Sequence, residues 1–172
     1  AATTPALADM SHFPPSPAPL QLGFLNLLYP GRLMKTTAAQ GGFASDPAFQ
    51  DDSFEPFFKT DDLSYYGNSQ GGIAGGALTA IAPDFTRSVL YVPGMRYAEL
   101  LPRSVDFEDY AQVLYPSYPI ERTRPLLLTL IQGMWDRGEP NGYANHMTSN
   151  PLPDTPAHKV LIEMAYGDHQ VT

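Results

Sequence analysis

A serine hydroxyl becomes a nucleophile only when it stands clear of its own backbone and meets a base. Residues 67–71, Gly67-Asn68-Ser69-Gln70-Gly71, have the G-x-S-x-G spacing that can present such a serine. The motif lies between a short aromatic run at 63–66 and a small-residue apolar run at 72–82, closed by Pro83. A strand, a tight turn and a helix in that order force the serine into a strained geometry with its oxygen exposed. Gly67 and Gly71 are expected to leave space where a side chain would collide with a neighbouring strand or helix. The helix start aims free N–H groups at the same spot, which favours developing negative charge. The Gln70 N–H is thereby placed to donate to an oxyanion.

The rest of the chain must position this turn. Residues 1–19, rich in proline and small side chains, read as loop. The apolar run 20–29 predicts a helix stopped by Pro30-Gly31, with 32–37 extending it after a break. Residues 40–62 read as a long loop with one helical turn near 47–50, its Phe54, Phe57 and Phe58 packing against the sheet. A strand is expected at 88–92. Helices follow at 97–103, at 107–115 with Asp106 as N-cap, and at 120–136. The last carries Pro125 in its first turn and an apolar face of Leu126, Leu127, Leu130, Ile131 and Met134. A turn at 139–142, a short helix at 143–147 and a proline-rich connector lead to a final strand at 160–165. The pattern predicts an α/β fold with a small, mostly parallel sheet. The elbow strand sits beside the 88–92 strand, the 160–165 strand follows, and helices cover both faces.

Composition narrows the chemistry. Hydrophobic residues make up 43% and charged residues 16%, with a net charge of −8. No basic patch exists to meet phosphates, which argues against a nucleic-acid partner. With no cysteine, disulfides, thiolate zinc sites and cysteine nucleophiles are excluded. No apolar run reaches about eighteen residues, so no transmembrane helix is expected. The acids Asp51, Asp52, Asp61 and Asp62 lack the spacing of a calcium loop and read as solvated loop charge. No cofactor or metal is implied, and the compartment stays open.

Three segments together resemble the α/β-hydrolase superfamily, in particular bacterial serine esterases and lipases. They are the elbow at 67–72, the strand at 87–94, and the run at 160–171 that opens onto Gly167-Asp168-His169-Gln170-Val171. The likeness covers residues 63–172, leaving 1–62 as a separate N-terminal segment. It implies a partial or minimal α/β-hydrolase fold, with Ser69 as nucleophile and Asp168 as the acid that orients a catalytic histidine. It also implies hydrolysis of a small-molecule carboxylic ester through an acyl-serine, with residues 95–156 as a helical cap. Tyr97, Tyr110, Tyr115, Tyr118, Trp135 and Tyr143 are candidates to line its pocket.

In the family, the histidine follows the acid by a few dozen residues, and several strands precede the elbow. The sequence given stops at Thr172, four residues past Asp168. The expectation is a piece of a larger hydrolase or a reduced one, with the usual base absent and Ser69 weakly activated. Of the four histidines, His169 is the candidate base, although neighbours in sequence seldom aim their side chains at each other. His146 could approach from the cap, His158 is expected to be structural, and His12 lies in the N-terminal segment. Sheet edges without their usual neighbours invite pairing with another copy or a companion chain. The alternative reading is therefore a non-catalytic hydrolase remnant or subunit that acts by assembly.

Overall fold

The computed structural model describes residues 3–171, with side chains from Pro5 onward. It is a mixed α/β structure with a three-stranded parallel sheet in the order β1-β2-β3. The strands are β1 (Tyr65–Asn68), β2 (Arg87–Tyr91) and β3 (Lys159–Glu163). Six α-helices lie among the described residues: α1 (Thr3–Ala8), α2 (Ala18–Lys35), α3 (Gln70–Ile81), α4 (Tyr97–Leu100), α5 (Glu108–Ser117) and α6 (Arg124–Trp135).

Helix α3 sits directly on the sheet because its inner face has almost no side chains. A Cβ at Gly72 would come within 2.6 Å of the Tyr91 carbonyl oxygen, and one at Gly75 would overlap the Tyr65 ring. Ala77 and Ala80 are fully buried on the same helix. Helix α2 packs over α3 through Phe24 and Leu28, which meet Ala77, Leu78 and Ile81. A second core lies among α1, α4, α5 and α6, where Leu7, Phe13, Tyr97, Leu114, Ile131 and Trp135 pack with Ile73 of α3. Ring contacts tie it together: Phe13 meets Trp135 edge-on at 4.7 Å, and Tyr97 lies 5.5 Å from Trp135.

Several expectations are corrected. Within 3–19, residues read as loop form α1 and a 3-10 turn at Met10–His12, and they bury Ala6, Leu7, Met10 and Phe13. Ala1 and Ala2 lie outside the described residues. Helix α2 runs unbroken through Pro30; Leu28 before it packs with the Phe24–Ala77–Leu78 cluster, and Arg32 after it pairs with Asp84 at 2.7 Å. Phe54 and Phe57 do not pack on the sheet: they are 81% and 65% exposed, and Phe57 and Phe58 cluster with Phe49 instead.

Asp106 does not cap α5: the N-cap of α5 is Phe107, and Ser104 caps the 3-10 turn Val105–Phe107 before it, its Oγ accepting from the Asp106 N–H. The inner stripe of α6 is Leu128, Ile131, Gln132 and Trp135, leaving Leu126 and Leu130 exposed. The aspartate pairs are not all free, since Asp62 pairs with Arg87.

The largest correction concerns the sheet. Its α3 side carries Tyr65, Ser88 and Val160 in one row and Gly67, Leu90 and Ile162 in the next. The opposite side carries Tyr66, Val89 and Leu161, of which Tyr66 is 65% and Leu161 53% exposed. Among the described residues no helix packs over that side.

Candidate active site

Ser69 is the hinge between β1 and α3, with φ 53° and ψ −118°. A positive φ is costly for a residue with a Cβ, so the surrounding contacts must over-determine it. They do: the Ser69 N–H donates to the Tyr91 carbonyl at 3.0 Å, and the Ser69 carbonyl accepts from the Ile73 N–H at 2.9 Å. The Tyr65 hydroxyl donates to the Gly71 carbonyl at 2.8 Å and closes the turn from below. Gly67 is required, because a Cβ there would overlap the Gly71 carbonyl group. The second required glycine is Gly72 rather than Gly71, whose Cβ would meet only the Tyr65 hydroxyl at 3.8 Å.

Gln70 is the first residue of α3, so its N–H lies in the turn where helical donors have no partner within the helix. Its side chain reaches across the site and donates to the Tyr97 hydroxyl at 3.0 Å. Burial raises the Tyr97 pKa above the ordinary phenol value, which keeps the ring neutral and its proton in place.

Ser69 and Gln70 open into a cleft of about 530 Å³. One wall comes from Tyr97, Phe107, Tyr110 and Trp135, and another from Leu7 and Leu20. Three of the six expected aromatics, Tyr97, Tyr110 and Trp135, therefore reach the cleft. The other three have partners elsewhere. Tyr115 stacks under Arg124, the Tyr118 hydroxyl accepts from the Met10 N–H, and the Tyr143 hydroxyl donates to the Arg137 carbonyl.

The loop after β3 reaches this cleft through Gln170 and Val171. Asp168 shapes that loop. Its Oδ1 accepts from the Gln170 N–H at 2.8 Å and the Val171 N–H at 3.0 Å, and these bonds hold its pKa below the usual carboxylate value. The loop is moored to the helical insertion where the Val105 N–H donates to the His169 carbonyl at 2.9 Å. The His169 side chain is exposed. Among the described residues, no imidazole is hydrogen-bonded to Ser69 or to Asp168.

The other histidines are placed as follows. His146 Nδ1 lies 2.7 Å from the Asn150 carbonyl. His158 is buried against Phe85 at the far end of β3, with Nε2 3.2 Å from the Ala82 carbonyl. His12 is exposed.

Sequence reasoning missed two features. Glu139, read only as a turn residue, is completely buried. It accepts from the Arg96 N–H at 3.1 Å, the Asn141 N–H at 3.0 Å and the Gln132 amide, while Gln132 accepts from the Ala98 N–H. This network fixes α4, and with it Tyr97, against α6. Burial raises the Glu139 pKa despite those three donors. The second is Val92, directly after β2, with φ 43°. A branched side chain at positive φ marks strain, and its N–H is tied to the Glu163 carbonyl at 2.7 Å. The signal for Glu139 was present, since a side-chain acceptor followed by Pro-Asn-Gly suits the cap of a short turn.

Among the described residues no cluster of three or more potential metal ligands exists, and no helix is long and apolar enough to cross a membrane. Comparisons with family models, curated proteins and solved structures gave no match.

Proposed function

We propose that the chain carries the acyl-accepting part of a serine hydrolase of the α/β-hydrolase type, acting on small carboxylic esters. The observation that carries this reading is Ser69 at φ 53° between a parallel strand and a helix, opening into an apolar cleft. Strained non-glycine residues cluster at functional sites, and of the five at positive φ among the described residues Ser69 is the one that lines this cleft.

In the reaction, Ser69 Oγ attacks the ester carbonyl carbon and its proton passes to a base. The carbonyl oxygen takes up negative charge beside the Gln70 N–H at the start of α3. Collapse of the tetrahedral species expels the alcohol and leaves the acyl group on Ser69. Water then attacks that ester by the same route and frees the acid. Asp168 is the acid in this scheme, orienting an imidazole and stabilising its charged form. His169 is the candidate imidazole, and the loop that bears it would have to turn its ring toward the cleft. The apolar wall of Tyr110, Phe107 and Leu7 suits an acyl or alkyl group.

The test is phosphonylation by a fluorophosphonate probe, in which an O–P bond forms at serine and fluoride leaves. Intact mass should rise by one adduct, with peptide mapping placing it on Ser69 and Ser69→Ala abolishing it. Equal labelling of Ser69→Ala, or no adduct after prolonged exposure, rejects the reading. A reduced labelling rate in His169→Ala assigns the base to this chain, and an unchanged rate removes His169 from the scheme.

A further inference from the structure

Among the described residues no strand pairs with the outer edge of β3, and its sequence is self-complementary in an antiparallel sense. The strand is Lys159-Val160-Leu161-Ile162-Glu163, a cation at one end, an anion at the other and three apolar residues between. We propose that β3 pairs with β3 of a second copy about a twofold axis through Leu161. Two three-stranded sheets would then become one continuous sheet. This surface is distinct from the Ser69 cleft, so the inference does not depend on the catalytic reading.

Three observations carry it. The first is charge. Antiparallel pairing centred on Leu161 sets each Lys159 opposite the other copy's Glu163, at both ends of the ladder. Opposite charges directly across a strand pair attract, and like charges repel. Neither Lys159 nor Glu163 is in an ion pair within its own chain, among the described residues.

The second is hydrogen-bond phase. The Lys159 N–H donates to the Thr86 carbonyl and the Glu163 carbonyl accepts from the Val92 N–H, so the main chain at 159, 161 and 163 faces β2. The main chain at Val160 and Ile162 therefore faces outward. The twofold that aligns the charges also sets Val160 against Ile162 of the other copy, giving hydrogen-bonded pairs on either side of the axis. Leu161 then meets its own copy in the close, non-hydrogen-bonded position where side chains touch most. A shift of one residue would lose both matches.

The third is the uncovered face. Tyr66, Val89 and Leu161 form one apolar row across the three strands, with no helix over it among the described residues. Pairing would extend that row through Leu161 into its copy. Leu161 is 53% and Ile162 51% exposed, so the edge has apolar surface to bury. Protected edges commonly carry repeated charges or proline. Here the two charges sit where they select a partner of the same sequence.

The experiment is sedimentation equilibrium of the 172-residue chain across micromolar concentrations, with circular dichroism confirming that each variant folds. The wild type should be a dimer in equilibrium with monomer. Lys159→Glu and Glu163→Lys should each weaken dimerisation by roughly tenfold, since each turns two attractive cross-strand pairs into repulsive ones. The double variant Lys159→Glu/Glu163→Lys should recover wild-type affinity, because the swap restores both pairs. A monomeric wild type overturns the proposal. So does a dimer indifferent to the single reversals, a double variant that fails to recover, or a complex whose extra mass is a different chain.

Discussion

The elbow and the loop after β3, residues 164–171, flank one cleft, yet they are built on opposite principles. The elbow is held from every side: Ser69 is bonded to β2, Tyr65 closes the turn, and α3 presses on the sheet through glycine. The loop after β3 is shaped mainly by itself. Asp168 bonds two amides just ahead of it in the chain, Gly167 bends the backbone at φ 74°, and the loop is moored by the Val105 N–H, by the Gln170 amide on Asp106 and by Val171 against the core. One half is pre-set by packing at the cost of strain, and the other is a local turn shaped by its own hydrogen bonds, with Val171 as its contact to the core. A site that must fix a nucleophile and still admit a base would divide its rigidity in this way.

The contrast can be broken first at Gly72. Gly72→Ala would push a methyl group against the Tyr91 carbonyl, the acceptor for the Ser69 N–H. The expected loss is about 2–3 kcal/mol, as for other overpacked core positions, measured by urea unfolding. A neutral result would mean that α3 can slide, and the elbow is not rigid. The second test acts on the strain. Ser69→Gly should stabilise the fold by about 1–2 kcal/mol, because glycine adopts this backbone freely, while Ser69→Ala should not. If both behave alike, the turn is unstrained and the argument for an aimed side chain weakens.

The smallest effect is expected at Asp168. Asp168→Ala should speed amide exchange at Gln170 and Val171 severalfold and leave the global melting temperature unchanged. Acid should do the same to the wild type. A depressed carboxylate pKa means that the ionised form is the one holding the turn. Its contribution is intact above the ordinary aspartate value and is lost as pH falls through the lowered one. A large drop in melting temperature would show that the loop belongs to the core after all.

The elbow was legible in the sequence because every part of it is local. Glycines, serine and a small-residue helix within sixteen residues specify strand, turn and helix without distant help. All three strands and the helices α3, α4, α5 and α6 were legible for similar reasons, with ends displaced by a few residues. What failed depended on tertiary contact. Leu7, Met10 and Phe13 become a helix and core only because α5 and Trp135 lie beneath them. Pro30 does not end α2, which has tertiary partners on both sides of it in Leu28 against α3 and Arg32 on Asp84. In α6 the leucines permit more than one stripe, and the choice fell to Gln132 and Trp135, whose partners lie on other elements. Asp168 lies on the loop that reaches the cleft through Gln170 and Val171, and no spacing in the chain fixes where an imidazole would stand.

Leu7 and Leu20 stand in the cleft wall facing Ser69. The segment before the sheet therefore forms part of the cleft wall, and if the cleft holds an acyl group these two leucines would set its length. Enlarging Leu7 would favour short chains, and removing its side chain would admit long ones.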